Sequence, residues 1–369
     1  MLATGFPRRG WTVPKSGAAL LTDLYQLNMM AAYLEHGLTE TAVFELFVRN
    51  LPAHRGFLMA AGLDQALEFL ETIAFTEEDL AAIRQLGRFS DGFLDYLGSF
   101  RFTGEVEALP EGTVFFPDEP IIRVTAPLPE AQFVETRLVN LVHFETVIAS
   151  KAARMVLAAP GKALIDYGLR RAHGAEAGLL AARASYIAGF SGTATVAAGV
   201  VFGIPVYGTM AHSFVQAHDD ETLAFEHFAL SRPQGLVLLI DTYDTERAAG
   251  RVVALAPRLM AQGITISGVR IDSGNLGEHA VKVRRILDAG GLPGRGSSPA
   301  AAWTRMPAGV VARRPTDRFL RHRHQPDDSV GRPGARLRLQ AAGICRAASA
   351  QALGREGDVA RSQAGVATL

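Results

Sequence analysis

LVLLIDTYDTERAAGRVVALAPRLMAQGITISGVRIDSGN, residues Leu236 to Asn275, holds the pattern on which the fold turns. Two short apolar runs, LVLLI and ISGVRI, each lead straight into a polar turn carrying aspartate, and a helical run lies between them. The same texture extends back to Pro160 through KALIDYGLRRA (Lys162–Ala172), SYIAGFSGT (Ser185–Thr193) and IPVYGTMAHS (Ile204–Ser213). Short β-type runs alternating with helices predict a parallel sheet or barrel. In such folds the carboxyl ends of the strands form the site, because loops and helix N-termini share one mouth there. Those ends supply Arg170, Arg171, Ser191, Thr193, Thr209, His212, Asp241, Asp244, Arg270, Asp272 and Ser273. Cations, carboxylates, hydroxyls and an imidazole on one face suit a phosphorylated, metal-chelating substrate.

Upstream the texture differs. LLTDLYQLNMMAAYLEHG, from Leu20, has helical spacing, with Thr22 and Asp23 as caps and Gly37 as a stop signal. AVFELFVRN (Ala42–Asn50) alternates as a strand does, and GLDQALEFLETI is helical. Phe102 to Pro127 reads as short strands broken at Pro110-Glu111-Gly112 and Pro117-Asp118-Glu119-Pro120. A long helical stretch, Pro129 to Ala159, follows. This predicts a small α+β unit before the parallel α/β one. The first 17 residues have Arg8 and Arg9 but no apolar segment, and read as a frayed extension.

Composition narrows the function classes. The chain has 369 residues, 48% hydrophobic and 20% charged, enough for a large buried core. Lys plus Arg and Asp plus Glu both number 37, so no global field draws it to nucleic acid or an anionic membrane. No run of about 18 apolar residues is present. One cysteine, Cys345, excludes an intramolecular disulfide framework and multi-thiolate zinc, which points to a reducing, cytoplasmic setting.

Each feature taken singly also has a plain structural reading. In LIDTYDT an aspartate can simply cap the next helix. His212 can be an ordinary hydrogen-bonded histidine, and His218 and His227 fit a helix surface. Arg170-Arg171 fits a solvated face as well as an anion site. RIDSGN needs Gly274 for its turn in any case. Context, not any one residue, makes the case.

That context is a resemblance. TDLYQL, FELFVRN, GTVFFPDEPIIRV, YGLRRAHG, GTMAHSFVQ, LLIDTYDT and VRIDSGNL, in this order from about Leu20 to Pro293, resemble the bacterial nicotinate phosphoribosyltransferase family. The resemblance implies a type II phosphoribosyltransferase fold, an irregular α/β barrel (residues 129–294) beside an N-terminal α+β domain (18–128). It implies a head-to-tail homodimer in which a second subunit completes each site. The implied reaction joins nicotinate to 5-phosphoribosyl 1-pyrophosphate, with Mg2+ and coupled ATP hydrolysis, giving nicotinate mononucleotide and pyrophosphate in NAD salvage. A relative using nicotinamide or quinolinate remains open.

Carried over by motif, Tyr25 stacks on the pyridine ring from the partner subunit, and Arg171 lies near the nicotinate and phosphoribosyl groups. His212 matches the histidine phosphorylated by ATP, with Thr209 and Ser213 of the same segment binding substrate. Arg270 and Asp272 match the pair at the base and ribose, and Asp241 an acidic position near ribose and metal. The physical logic agrees, since leaving-group departure creates positive character at the ribosyl carbon, which a fixed carboxylate stabilises.

The family pattern stops after Gly294. Two glycine turns expected there, reading like FASGGLDE and GFGIGTSLTT, are absent, and residues 295–369 hold 13 arginines and no lysine. A basic disordered tail that binds RNA is one reading. A simpler one is translation out of frame: codons for SSPAAAWTR (Ser297–Arg305) can spell FASGGLDE in another phase. In the remaining phase RHRHQPDDS (Arg321–Ser329) accommodates GIGTSLTT, and RPGARLRLQAAGICR (Arg332–Arg346) accommodates APALDCAYKLQEYAG. The barrel is then expected to be incomplete, the tail disordered, Cys345 without redox meaning, and the chain as written impaired. A non-catalytic remnant that binds pyridine or dimerises is the competing expectation.

Overall fold

A computed structural model describes residues 19–51, 55–292, 303–304 and 337–345. The predicted N-terminal extension lies outside these residues, as do most of the positions on which the out-of-frame reading rests. The chain divides into two compact units, one of residues 1–151 with 329–369 and the other of 152–328.

The first unit follows the predicted α+β order. Helix α1 (Leu24–Glu35) is followed by strands β1 (Thr41–Val48) and β2 (Leu58–Met59). Helices α2 (Leu63–Thr72), α3 (Glu77–Gln85) and α4 (Asp91–Ser99) precede β3 (Glu105–Ala108), β4 (Val114–Phe115) and β5 (Ile122–Pro127). Helices α5 (Leu128–Phe133) and α6 (Glu135–Ala158) close the run. Along β1, Ala42, Phe44, Leu46 and Val48 are all buried, as the period of two requires of a strand with one covered face. Phe75, Phe100 and Phe133 stack against one another at centroid distances of 5.2–5.8 Å. α3 starts in a capping box: Thr76 accepts from the Asp79 N–H and Asp79 accepts from the Thr76 N–H. Asp23 holds the N-cap position of α1 as predicted, but its carboxylate accepts from the Thr136 hydroxyl rather than from the helix.

Two expectations about boundaries change. The division falls at 151/152, inside α6, rather than at 128/129. The reason is that α5 and most of α6 belong to the first unit: Leu138, Leu141 and Val142 are buried, and Thr146 and Ser150 bond the backbone of Ala61 and Met59. The tail, expected to be disordered, contains a strand β11 (Leu337–Cys345) that pairs antiparallel with β1 from Thr41↔Cys345 to Val48↔Leu337. The sheet order is β11-β1-β5-β3. This pairing covers the edge that β1 would otherwise present.

The second unit carries the predicted strand–helix alternation. It runs β6 (Ile165–Asp166), a 3₁₀ turn (Leu169–Arg171), α7 (Ala175–Ile187), β7 (Gly192–Thr193), α8 (Val196–Phe202), α9 (His212–Gln216) and α10 (Glu221–Ser231). It continues with β8 (Leu236–Leu239), α11 (Thr245–Ala261), β9 (Ile266–Ile271), α12 (Leu276–Ala289) and β10 (Trp303–Thr304). β8, β9 and β10 are parallel neighbours; β6 pairs parallel with β7, and Thr193 bridges Val206. Among the described residues the parallel strands do not close into a barrel. All four residues of β8 are buried, the mark of a strand covered on both faces. Leu236, Leu238 and Leu239 share one cluster with Val252, Leu255 and Leu259 of α11, Val269 and Ile271 of β9, and Val283 and Leu287 of α12. Only the end of SYIAGFSGT is strand: Ser185–Ile187 finish α7, and Gly189, at φ +102°, turns the chain toward β7.

Candidate active site

The register of β8 on β9 creates the site. Leu239 lies opposite Arg270, and the Ile240 N–H donates to the Arg270 carbonyl at 3.1 Å. Asp241 and Asp272 therefore leave the sheet side by side. Asp241 is 8% exposed. Its Oδ2 accepts from the Asp272 N–H at 2.7 Å and from the Ser273 hydroxyl at 2.6 Å, while its Oδ1 is buried without a hydrogen-bond partner. Gly274 makes the predicted turn at φ +74°, where an added Cβ would press on the His279 ring.

Arg270 ties this corner together. Nε and Nη2 donate to the two carboxylate oxygens of Asp272 at 3.0 and 2.6 Å, a two-pronged pair. Nη1 donates to Thr209 Oγ1 at 2.6 Å and to the Met210 carbonyl at 3.1 Å. Burial works against the guanidinium charge, yet the Asp272 carboxylate outweighs it and raises the Arg270 pKa. His212, the first residue of α9, places Nδ1 3.2 Å from Thr242 Oγ1 and Nε2 3.9 Å from Asp272 Oδ2. The imidazole keeps an open side, its side chain being 39% exposed.

Thus Thr209, His212, Asp241, Arg270 and Asp272, separate in sequence, meet at the carboxyl ends of parallel strands. Arg171 and Ser213 are exposed, on the 3₁₀ turn and in α9 respectively, and among the described residues no hydrogen bond joins their side chains to this network. Tyr25 is in the first unit, in the first turn of α1. The two aspartates of LIDTYDT divide the two readings between them: Asp241 enters the site, and Asp244 caps α11 by accepting from the Arg247 N–H at 2.8 Å. His218 and His227 bond to each other at 3.1 Å, outside the network.

Sequence reasoning missed Tyr167 and Thr242. Tyr167 directly follows β6; burial raises its phenol pKa, with Arg270 opposing and Asp272 adding to the shift, which places all three in one electrostatic neighbourhood. Its position at a strand end was the available signal, masked by the arginines that follow it. Behind it, Asp166 accepts from the Gly168 N–H at 2.9 Å and the Thr193 hydroxyl at 2.8 Å, fixing the turn. Gly192 is required by close approach, since a Cβ there would meet the Pro205 carbonyl and the Tyr207 ring.

Among the described residues no group of three or more His, Cys, Asp or Glu is arranged to hold a metal, and no helix is long and apolar enough to cross a membrane. A magnesium ion needs less than a protein cage, because one or two carboxylates suffice when substrate phosphates supply other oxygens. The buried, unpartnered Oδ1 of Asp241 fits that requirement.

Residues 20–143 match the family model described as the nicotinate phosphoribosyltransferase (NAPRTase) N-terminal domain. The chain is 51% identical over 274 residues to nicotinate phosphoribosyltransferase pncB2 of Mycobacterium tuberculosis, covering 74% of this chain and 59% of that one. Against the nicotinate phosphoribosyltransferase of Bacillus subtilis it is 42% identical over 275 residues, covering 74% and 56%. The chain thus spans somewhat more than half the length of these relatives. The crystal structure of human nicotinic acid phosphoribosyltransferase superposes with a TM-score of 0.71 at 27% identity, covering 88% of this chain and 75% of that one. The fold is therefore that of the type II phosphoribosyltransferases, and the chain belongs to the nicotinate phosphoribosyltransferase family.

Proposed function

We propose that the site is built to transfer the 5-phosphoribosyl group from 5-phosphoribosyl 1-pyrophosphate to the ring nitrogen of nicotinate. The observation that carries this reading is the Arg270–Asp272 pair, joined to Thr209, flanked by His212 and set beside the free oxygen of Asp241. The nicotinate nitrogen forms a bond to ribosyl C1, the C1–oxygen bond breaks, and pyrophosphate leaves with the electron pair. Positive character grows on the ribosyl centre as that bond lengthens. A carboxylate already held in place stabilises it without reorganising, and Arg270 and Thr209 offer fixed donors to an anionic oxygen. Asp241, together with substrate oxygens, would hold magnesium, which would supply charge neutralisation for the departing pyrophosphate.

ATP coupling falls to His212. When Nδ1–H is donated to Thr242 Oγ1, the Nε2 lone pair is free to attack the γ-phosphorus of ATP. ADP leaves, and water later releases phosphate. The added phosphoryl charge sits next to Asp272 and Arg270 and is positioned to order the surrounding loops. Tyr25 as a pyridine contact, Arg171 and Ser213 as substrate residues, a homodimer and a cytoplasmic location complete the reading.

A binding-only remnant is the second reading, favoured by parallel strands that do not close among the described residues and by the absence of both glycine-turn sequences. The deciding experiment follows labelled nicotinate with phosphoribosyl pyrophosphate and Mg2+, with and without ATP, in this chain and in one whose last third is restored to the family frame. Slow turnover here and fast turnover after restoration is the expected result. His212→Asn should abolish the ATP stimulation, and Asp272→Asn should abolish turnover. Failure of both chains to make nicotinate mononucleotide overturns the assignment. Calorimetric binding of nicotinate without phosphoribosyl pyrophosphate binding supports the remnant, and competition by nicotinamide or quinolinate reports the substrate. Resequencing the last third of the gene tests the out-of-frame reading directly.

A further inference from the structure

The polar side chains around Tyr25 form a closed set that neither the fold nor the reaction yet explains. Gln26 is fully buried and Gln132 is 5% exposed. Gln26 Nε2 shares its two hydrogens among the Tyr25 hydroxyl at 2.9 Å, Glu135 Oε2 at 2.8 Å and Thr136 Oγ1 at 3.2 Å. Gln132 Nε2 donates to Gln26 Oε1 at 2.7 Å, which fixes the orientation of that amide, and to Glu135 Oε2 at 2.8 Å. The Tyr25 O–H points to Glu135 Oε2 at 3.5 Å, and Thr136 in turn donates to Asp23. Two positions in the first turn of α1 are thereby bound to the junction of α5 and α6, more than a hundred residues away.

We propose that Gln26, Gln132 and Glu135 are positioning residues that hold the Tyr25 ring for contact with the pyridine substrate. This rests on the reading of Tyr25 as the pyridine contact. A tyrosine fixed at Cβ by the helix and at its hydroxyl by two partners has lost its ring freedom before a ligand arrives, so stacking then costs less entropy. Tyr25 is 37% exposed, so the anchored ring keeps an accessible surface. Burial, opposed by the Thr136 hydrogen bond and reinforced by the Glu135 charge, raises the phenol pKa, so the hydroxyl keeps its proton at ordinary pH. A cluster that served packing alone would be replaceable by apolar residues of equal volume at little cost.

The test uses the full chain with ring-¹³C tyrosine, the Tyr25 signal being assigned through Tyr25→Phe. In the parent chain the ring should be ordered; in Gln26→Leu it should reorient freely, and in Glu135→Gln, which keeps the shape should the leucine variant fail to fold, it should be less ordered than in the parent. Nicotinate affinity should fall about tenfold in Gln26→Leu and Tyr25→Phe, while the KM for phosphoribosyl pyrophosphate stays within about twofold. A Tyr25 ring as ordered in both clamp variants as in the parent overturns the proposal. Unchanged nicotinate affinity in Tyr25→Ala overturns instead the reading of Tyr25 on which it rests. If Tyr25→Ala weakens nicotinate and the clamp variants do not, that reading stands and the positioning role falls.

Discussion

At the residue scale, Arg270 is the group on which the site depends most. Its fork meets Asp272 through two nitrogens while the third reaches Thr209 and Met210. Lysine keeps the charge but not the planar fork. Arg270→Lys should lower kcat/KM by roughly a hundredfold, the order of effect expected from misplacing a positioned group, and a steady-state assay against both substrates checks it. Arg270→Ala should also cost the fold about 3–5 kcal/mol by removing the two-pronged guanidinium partner of a buried carboxylate. Denaturant unfolding measures that loss, and Arg270→Ala/Asp272→Ala should recover part of it. The residues VRIDSG pointed to this pair because an arginine and an aspartate two positions apart at a strand end share a face. The contact with Thr209 could not be read, because its partners are 61 residues apart and meet only through sheet geometry.

At the scale of elements, caps separate structure from function. Asp244 caps α11 and stands outside the Arg270 network, so Asp244→Ala should cost about 1 kcal/mol in thermal unfolding and leave nicotinate affinity unchanged. Asp220 caps α10, and the N–H groups of Leu223 and Thr222 hold its carboxyl below the usual range. A folded pKa below the unfolded one adds stability that is full above the unfolded value and is lost as pH falls through the folded value. The melting-temperature penalty of Asp220→Ala should therefore be largest at neutral pH and vanish in strong acid. Neighbouring Glu221 has the opposite sign: burial, only partly offset by Arg251, raises its pKa. Its charged form costs stability as pH rises from the unfolded toward the folded value. Among helix boundaries, α11 runs through Pro257, where a breaker would end it by local rules, because Leu255, Ala256 and Leu259 are buried on either side.

For the whole molecule, the informative partner is β11. β1 lies between β11 and β5, so removing residues 337–345 would turn a central strand into an edge with a row of unpaired N–H and C=O groups. A chain ending before residue 337 should melt at lower temperature and self-associate on size-exclusion chromatography. Equal melting and an unchanged elution volume would show that β11 contributes nothing to the sheet.

Much of this protein was legible in its residues. Period-two burial in β1, the apolar β8, the Gly274 turn and the aspartate-bearing strand ends are local patterns, set by backbone geometry and by which face meets solvent. The strand read into SYIAGF was not legible, because so short an apolar run suits a helix end as well as a strand. Other features needed the folded chain because they join distant positions: α6 completing the first unit, β11 against β1, Tyr167 near Arg270, and the glutamine set behind Tyr25. Chain order carries no information about which buried donors and acceptors face one another; packing chooses those partners, since a polar group left unmatched in the interior costs more than any local preference returns.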